Sequence, residues 1–175
     1  MFRKSYLFLF IALILTGLLI LYRYLGGFNE PEITFLDIHE YRIAGYHYEG
    51  RITGKDWEEL FYRTARIAGK DSVAGDLTIV WYNEPGEEKG YAKAFIGIKY
   101  LDDPELPAGM ETRIFRMNGV IRATMDAHVT VMPNPRKIAR KIKTYALEQD
   151  YELQEILIET YPEESVIYAE IPVRN

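Results

Sequence analysis

Residues 79–85 read Ile79-Val80-Trp81-Tyr82-Asn83-Glu84-Pro85, and residues 156–162 read Ile156-Leu157-Ile158-Glu159-Thr160-Tyr161-Pro162. Each is a short apolar run that closes on a proline, the pattern of a strand entering a turn. The two prolines are 162 − 85 = 77 residues apart, and the order strands, helix, hairpin repeats around them. One such unit is too small to bury its own sheet, so two units pairing edge to edge about a pseudo-twofold axis is the simplest arrangement. The sequence therefore predicts an α+β domain made by internal duplication, an antiparallel sheet with two helices on one face.

Working outward, the first helix starts where Thr53-Gly54-Lys55-Asp56 resembles an N-terminal cap. Trp57, Leu60, Phe61, Thr64, Ile67 and Ala68 then recur at i, i+3, i+4 spacing up to Gly69. The second starts at Asn134 as N-cap with Pro135 at N1, and Ile138, Ile142, Tyr145 and Ala146 form its apolar stripe. The remaining apolar runs read as strands: Ile33–Ile38, Tyr41–Tyr48, Leu77–Tyr82, Ala92–Tyr100, Thr112–Met117, Val120–Thr130, Leu153–Glu159 and Val166–Ile171. The repeats span about 32–100 and 110–173 within a domain over 32–175.

Before the domain, Ser5 to Tyr22 runs without a charge between Arg3-Lys4 and Arg23. About 18 apolar residues suffice to cross a bilayer, whereas a cleaved secretory signal has an apolar core of about 7 to 15 and a small-x-small exit. The exit here is Arg23-Tyr24-Leu25-Gly26-Gly27, so an uncleaved transmembrane anchor over 1–27 and a linker over 28–31 are expected. Tyr6, Tyr22 and Tyr24 suit the headgroup belt, and Arg3, Lys4 and the terminal amine favour a cytoplasmic N-terminus with the domain outside.

The chain has 175 residues and a net charge of −5, with no cysteine. These values exclude a disulfide scaffold, a thiolate metal site and a cysteine nucleophile, and they argue against a nucleic-acid partner. Gly54-Lys55 lacks the spacing of a phosphate loop, and Asp56 stands where Ser or Thr should be. His39, His47 and His128 show no metal-ligand spacing, and Ser5, Ser72 and Ser165 sit in no nucleophile elbow. No cofactor or metal is expected. The basic run Arg136, Lys137, Arg140, Lys141, Lys143 reads as a solvated helix face, or as a face used near an anionic membrane.

The duplicated unit, ending in Ile158-Glu159-Thr160-Tyr161-Pro162 and then Ala169-Glu170-Ile171-Pro172-Val173, resembles the GyrI-like small-molecule-binding domain family over roughly Ile33 to Val173. Trp81-Tyr82-Asn83-Glu84-Pro85 is similar to that family's Tyr-Asp-Asn-Pro-type turn. The resemblance implies an effector-binding domain, and it matches Glu159 to the acid that contacts cationic ligands. One membrane span before such a domain also resembles the layout of a testis-expressed endoplasmic-reticulum membrane protein that is an autophagy receptor. That receptor carries its autophagy motif in a long tail, which this sequence does not show after Val173, so the role is not expected here.

Strand alternation gives a separate reason to notice Glu159. Ile156 and Ile158 share one face, so Glu159 shares the other with Leu157 and Tyr161. If helices cover the Ile156–Ile158 face, Glu159 looks into the concave side between the repeats. There, a carboxylate among aromatic walls is a counter-ion for an organic cation. The 77-residue offset puts Tyr82 opposite it, and Tyr46, Tyr48, Trp57 and Trp81 are further candidate wall residues. Taken alone, Glu159 is an exposed acid near a strand end and each aromatic is core packing. The expected function is a membrane-anchored module binding a small aromatic or cationic molecule. The alternatives are a hydrolase with Glu159 as general base and Tyr82 or Tyr161 as acid, and a membrane scaffold for protein partners.

Overall fold

The computed structural model describes residues 2–68, 74–83, 90–101, 106–126, 135–162 and 166–174. The proposed N-cap Asn134, the end of the Val120–Thr130 run, His128, Ser72, Ser165 and the turn residues Glu84 and Pro85 lie outside them. Helix α1 (Phe2–Tyr24) precedes β1 (Glu32–Leu36), β2 (Glu40–Arg51), α2 (Lys55–Ala68), β3 (Asp76–Trp81), β4 (Tyr91–Tyr100) and β5 (Glu111–Arg116). Then follow β6 (Val120–Asp126), α3 (Pro135–Glu148), β7 (Leu157–Tyr161) and β8 (Val166–Pro172). The strand expected from Leu153 begins four residues later, and Leu153 makes only a lone bridge to Val173. Helix α2 starts at Lys55, so Gly54 and not Thr53 precedes its first residue.

Helix α1 is long and apolar enough to cross a membrane, a property it shares with a secretory signal. Tyr6, Phe8, Leu9 and Leu13 are exposed, as are most of its other large side chains. The segment after it folds back on the helix: Gly27 N–H donates to the Tyr22 carbonyl, and the Phe28 ring meets Tyr22 edge-on at 4.9 Å.

The eight strands form one antiparallel sheet in the order β1-β6-β8-β7-β3-β4-β2-β5. Exchanging β1–β4 with β5–β8 returns the same order reversed, as a pseudo-twofold axis between β3 and β7 requires. The halves also interlock, because β1 pairs with β6 and β5 pairs with β2. Each half therefore begins with a strand that completes the other.

Both helices cover one face. From α2, Trp57, Leu60, Phe61, Ala65 and Ala68 pack on the same core as Ile138, Ala139, Ile142 and Ala146 of α3. Ile67, expected in that stripe, is half-buried and outside the cluster. The sheet contributes Leu77, Ile79 and Trp81 from β3, and Leu157 and Tyr161 from β7.

The helix-free face carries a second core, in which Tyr41, Ile43, Val80, Phe95, Met117, Val120 and Ile158 are all buried. Curling of the sheet closes it. Tyr41 on β2 donates its hydroxyl hydrogen bond to Glu170 on β8 at 2.8 Å, although β4, β3 and β7 lie between them in the sheet. Four strand spacings of about 4.8 Å would hold them about 19 Å apart if the sheet were flat. Gly45 and Gly97 face each other where β2 crosses β4, and a Cβ at Gly97 would lie 2.2 Å from the Ala44 carbonyl oxygen. Backbones that close leave room only for glycine there.

Candidate functional site

Glu159 lies on the helix-covered face, which corrects the expectation that it faces away from the helices. Ile156 and Ile158 needed a core, and the curled sheet supplies one on the other side without any helix. The same observation corrects the repeat offset. In the β3–β7 ladder Ile79 pairs with Glu159 and Val80 with Ile158, so in these two strands residues of like parity share a face. An offset of 77 matches Tyr82, on the helix-free face, to Glu159, on the helix-covered one. The similarity of residue types between the two runs therefore does not follow the structural equivalence of the two strands, whose repeats begin 80 residues apart at β2 and β6 and at α2 and α3.

Around Glu159 the aromatic groups converge. Glu159 pairs with Ile79 across the β3–β7 ladder. Its Oε2 accepts from Trp81 Nε1 at 2.9 Å and from the Tyr161 hydroxyl at 3.0 Å. Trp57 of α2 lies against Trp81 with ring centroids 5.3 Å apart, Tyr48 meets Trp57 at 5.0 Å, and Phe61 stands edge-on to Tyr161 at 6.3 Å. Four of the six expected site residues, Glu159, Trp81, Tyr161 and Trp57, therefore form one cluster. Phe61, read from the sequence only as a helix-stripe residue, belongs with them, and its place one turn after Trp57 was the available signal.

The other two sit elsewhere. Tyr82 turns to the helix-free side, where its hydroxyl accepts from Arg113 at 3.1 Å and its ring stacks near His47. Tyr46 lies on β2, two strands beyond β3, with the Arg63 guanidinium 4.4 Å above its ring.

The electrostatics of the cluster are unusual. Glu159 is 6% exposed, and burial pushes its carboxyl above the usual carboxylate range, against the pull of the Trp81 and Tyr161 hydrogen bonds. Burial and the adjacent carboxylate push the Tyr161 phenol well up, so it stays a donor. Among the described residues both bonds end on Oε2. Among the described residues no Lys, Arg or His pairs with this carboxylate. Glu170 is the contrast: fully buried on the other face, it holds Arg122 Nη2 at 2.6 Å and the Tyr41 hydroxyl at 2.8 Å on Oε1.

Next to the cluster, a cavity of about 680 Å³ opens between α3 and the chain from Tyr151 to Leu157. Trp81, Leu157, Ala139, Ala146 and Ile171 give it apolar walls, and Arg136, Lys143 and Glu155 add charged groups. The Trp81 indole belongs both to this cavity and to the hydrogen-bonded shell of Glu159. Among the described residues no group of three His, Asp or Glu is placed to hold a metal ion.

No family model and no curated protein sequence matches the chain. Its fold is shared with solved structures at low identity. The C-terminal domain of EcmrR superposes with a TM-score of 0.58 at 10% identity, covering 83% of this chain and 98% of that one. SAV2435 bound to tetraphenylphosphonium gives 0.51 at 8%, covering 83% and 94%. A hydrolase from Listeria innocua gives 0.53 at 9%, covering 82% and 91%.

Proposed function

We propose that this chain is a membrane-anchored binding module for organic cations of aromatic bulk, with a GyrI-like effector-binding domain over 32–175 and repeats over about 32–100 and 110–173. Its ligand site is built on Glu159, Trp81, Tyr161, Trp57 and Phe61, and the adjoining cavity takes the apolar body of the ligand. Helix α1 anchors the chain with its N-terminus cytoplasmic and the domain outside.

The observation that carries the reading is the uncompensated carboxylate. A buried charge is costly unless paired. Glu170 has its cation in the fold, and among the described residues Glu159 has none. A cation arriving at Oε1 would supply the missing partner, with indole and phenol faces beside it for cation–π contact. SAV2435, which shares the fold, is the protein bound to tetraphenylphosphonium, a cation of this kind.

The test is titration of the full chain in neutral-lipid vesicles with tetraphenylphosphonium, and with triphenylphosphine oxide as neutral control. Both tryptophans of the chain, Trp57 and Trp81, lie in the cluster, so their fluorescence reads the site directly. Saturable quenching by the cation at concentrations where the neutral analogue has no effect is expected. Equal response to both would refute the charge selection.

A second reading rests on one distance. The Tyr161 hydroxyl lies 3.0 Å from Glu159, so a base and an acid stand within proton-transfer reach. Turnover of a bound electrophile that is lost in both Glu159→Gln and Tyr161→Phe would favour a hydrolase.

A further inference from the structure

Positive charge is concentrated on α3. This helix holds five of the chain's 21 Lys and Arg and one of its 26 Asp and Glu, which leaves 16 bases against 25 acids elsewhere, a net −9. Lys137, Arg140, Lys141 and Thr144 follow the spacing i, i+3, i+4, i+7 and form one exposed stripe, opposite the buried Ile138 and Ile142.

The fold brings this stripe to the end of α1. Only residues 25–31 separate α1 from β1, and they are fixed at both ends. Leu25, Gly26 and Gly27 bond back to carbonyls of α1, whereas the Asn29 amide donates to the Asp126 carbonyl at 2.8 Å and Glu30 pairs with Lys141 at 3.1 Å. Six residues from Tyr24 to Glu30 reach at most about 22 Å, and the Lys141 ammonium is 3.1 Å from the Glu30 carboxylate, so the stripe is tethered close to where α1 ends.

On the reading that α1 spans a bilayer, we propose that the Lys137–Arg140–Lys141 stripe docks on the anionic phospholipid headgroups of that same bilayer. The acidic remainder of the domain is repelled by such a surface and α3 is attracted to it, so lipid charge sets the tilt of the domain on its short tether. Arg136 and Lys143 lie on the adjoining face of α3 and line the cavity, so docking brings the cavity mouth toward the headgroups.

The chain has no cysteine, so T144C gives one dye site on the stripe and Y62C a control site on the exposed face of α2. Full chain carrying either label is reconstituted in vesicles of phosphatidylcholine, with and without phosphatidylglycerol, each doped with a nitroxide-headgroup lipid. The Thr144-site dye should be quenched several-fold more in the anionic vesicles. High salt and the K137Q/R140Q variant should each abolish the difference, and the Tyr62-site dye should not respond.

Equal quenching in both lipids, or quenching that survives K137Q/R140Q, overturns the proposal. Shielding of the dye by added short RNA without any response to phosphatidylglycerol also overturns it, in favour of a soluble polyanion. Chain stripped from the vesicles by alkaline wash overturns the anchor beneath it, whereas an inserted chain whose dye ignores lipid charge overturns the docking alone.

Discussion

Replacing Glu159 by Gln removes a charge and keeps a shape, so it should move stability and binding in opposite directions. The amide oxygen can still accept from Trp81 Nε1 and the Tyr161 hydroxyl, now at 2.9 and 3.0 Å from Oε2. Burial raises the carboxyl in the folded chain, so the folded state holds that proton more tightly than the unfolded state, whose carboxyl titrates near about 4.3. Stability contributed by this group is therefore highest when it is protonated in both states and falls as pH rises through the window above that value. Each unit of upward shift corresponds to about 1.4 kcal/mol. Without ligand at neutral pH, the Gln variant should be more stable than the parent, and the advantage should shrink as the solution is acidified. With an organic cation the sign reverses, because a charge-assisted contact of about 1.5 to 3 kcal/mol is lost, about tenfold to a hundredfold in Kd. Urea unfolding at neutral and acidic pH, followed by tryptophan fluorescence, measures the first effect, and titration with tetraphenylphosphonium measures the second. A variant less stable than the parent at neutral pH would show that the native fold already neutralises the carboxylate. Cation affinity unchanged by the substitution would remove Glu159 from the site.

Ile142 is fully buried between α3 and the sheet, so Ile142→Ala should cost about 2 to 5 kcal/mol in chemical denaturation, and a loss under about 1 kcal/mol would place α3 outside the core. Arg122→Met strands Glu170 as a buried charge and should cost about 3 to 5 kcal/mol at neutral pH. Part of that loss should return in Arg122→Met/Glu170→Gln, and no recovery would assign it to packing. Gly97→Ala puts a methyl group 2.2 Å from the Ala44 carbonyl oxygen and should destabilise by about 1 to 3 kcal/mol by forcing β2 and β4 apart, read as a fall in Tm. The full chain should stay in membranes through alkaline washing, and recovery from cells of a mature chain beginning near Gly27 would replace the anchor by a cleaved signal.

What could be read ahead of the structure is local. Period 3.6 in 57–68 and 138–146 and period 2 in the strands come from burying one face of each element, so helices and strands fall close to where the pattern puts them. What could not be read is which face. The runs 79–85 and 156–162 look alike at an offset of 77, and that odd offset put Tyr82 on the wrong side of the sheet. Both faces of this sheet are apolar, so alternation between Ile158 and Leu157 carries no information about where the helices lie. The curl that creates the second core depends on contacts such as Tyr41 to Glu170, 129 residues apart, and no window of sequence contains them.

The same non-locality separates the two buried acids. Glu159 and Glu170 each sit in a strand of alternating residues, each is buried, and each accepts from a tyrosine. Residue type and burial alone do not tell them apart, and the residue that does so is Arg122, 48 positions before Glu170 and paired to it only because β6 lies beside β8. One acid thereby has a cation inside the fold, and among the described residues the other has only the neutral donors Trp81 and Tyr161. Exchanging the partners tests that logic: Ile79 sits opposite Glu159 in the ladder, and Ile79→Lys would place an ammonium beside it. If the unpaired charge is what draws the ligand, this internal cation should lower tetraphenylphosphonium affinity as far as Glu159→Gln does while leaving the carboxylate in place, and it should bring the carboxyl back down toward its ordinary range. An Ile79→Lys chain that folds and still binds the cation with parental affinity would mean that the aromatic walls alone hold it.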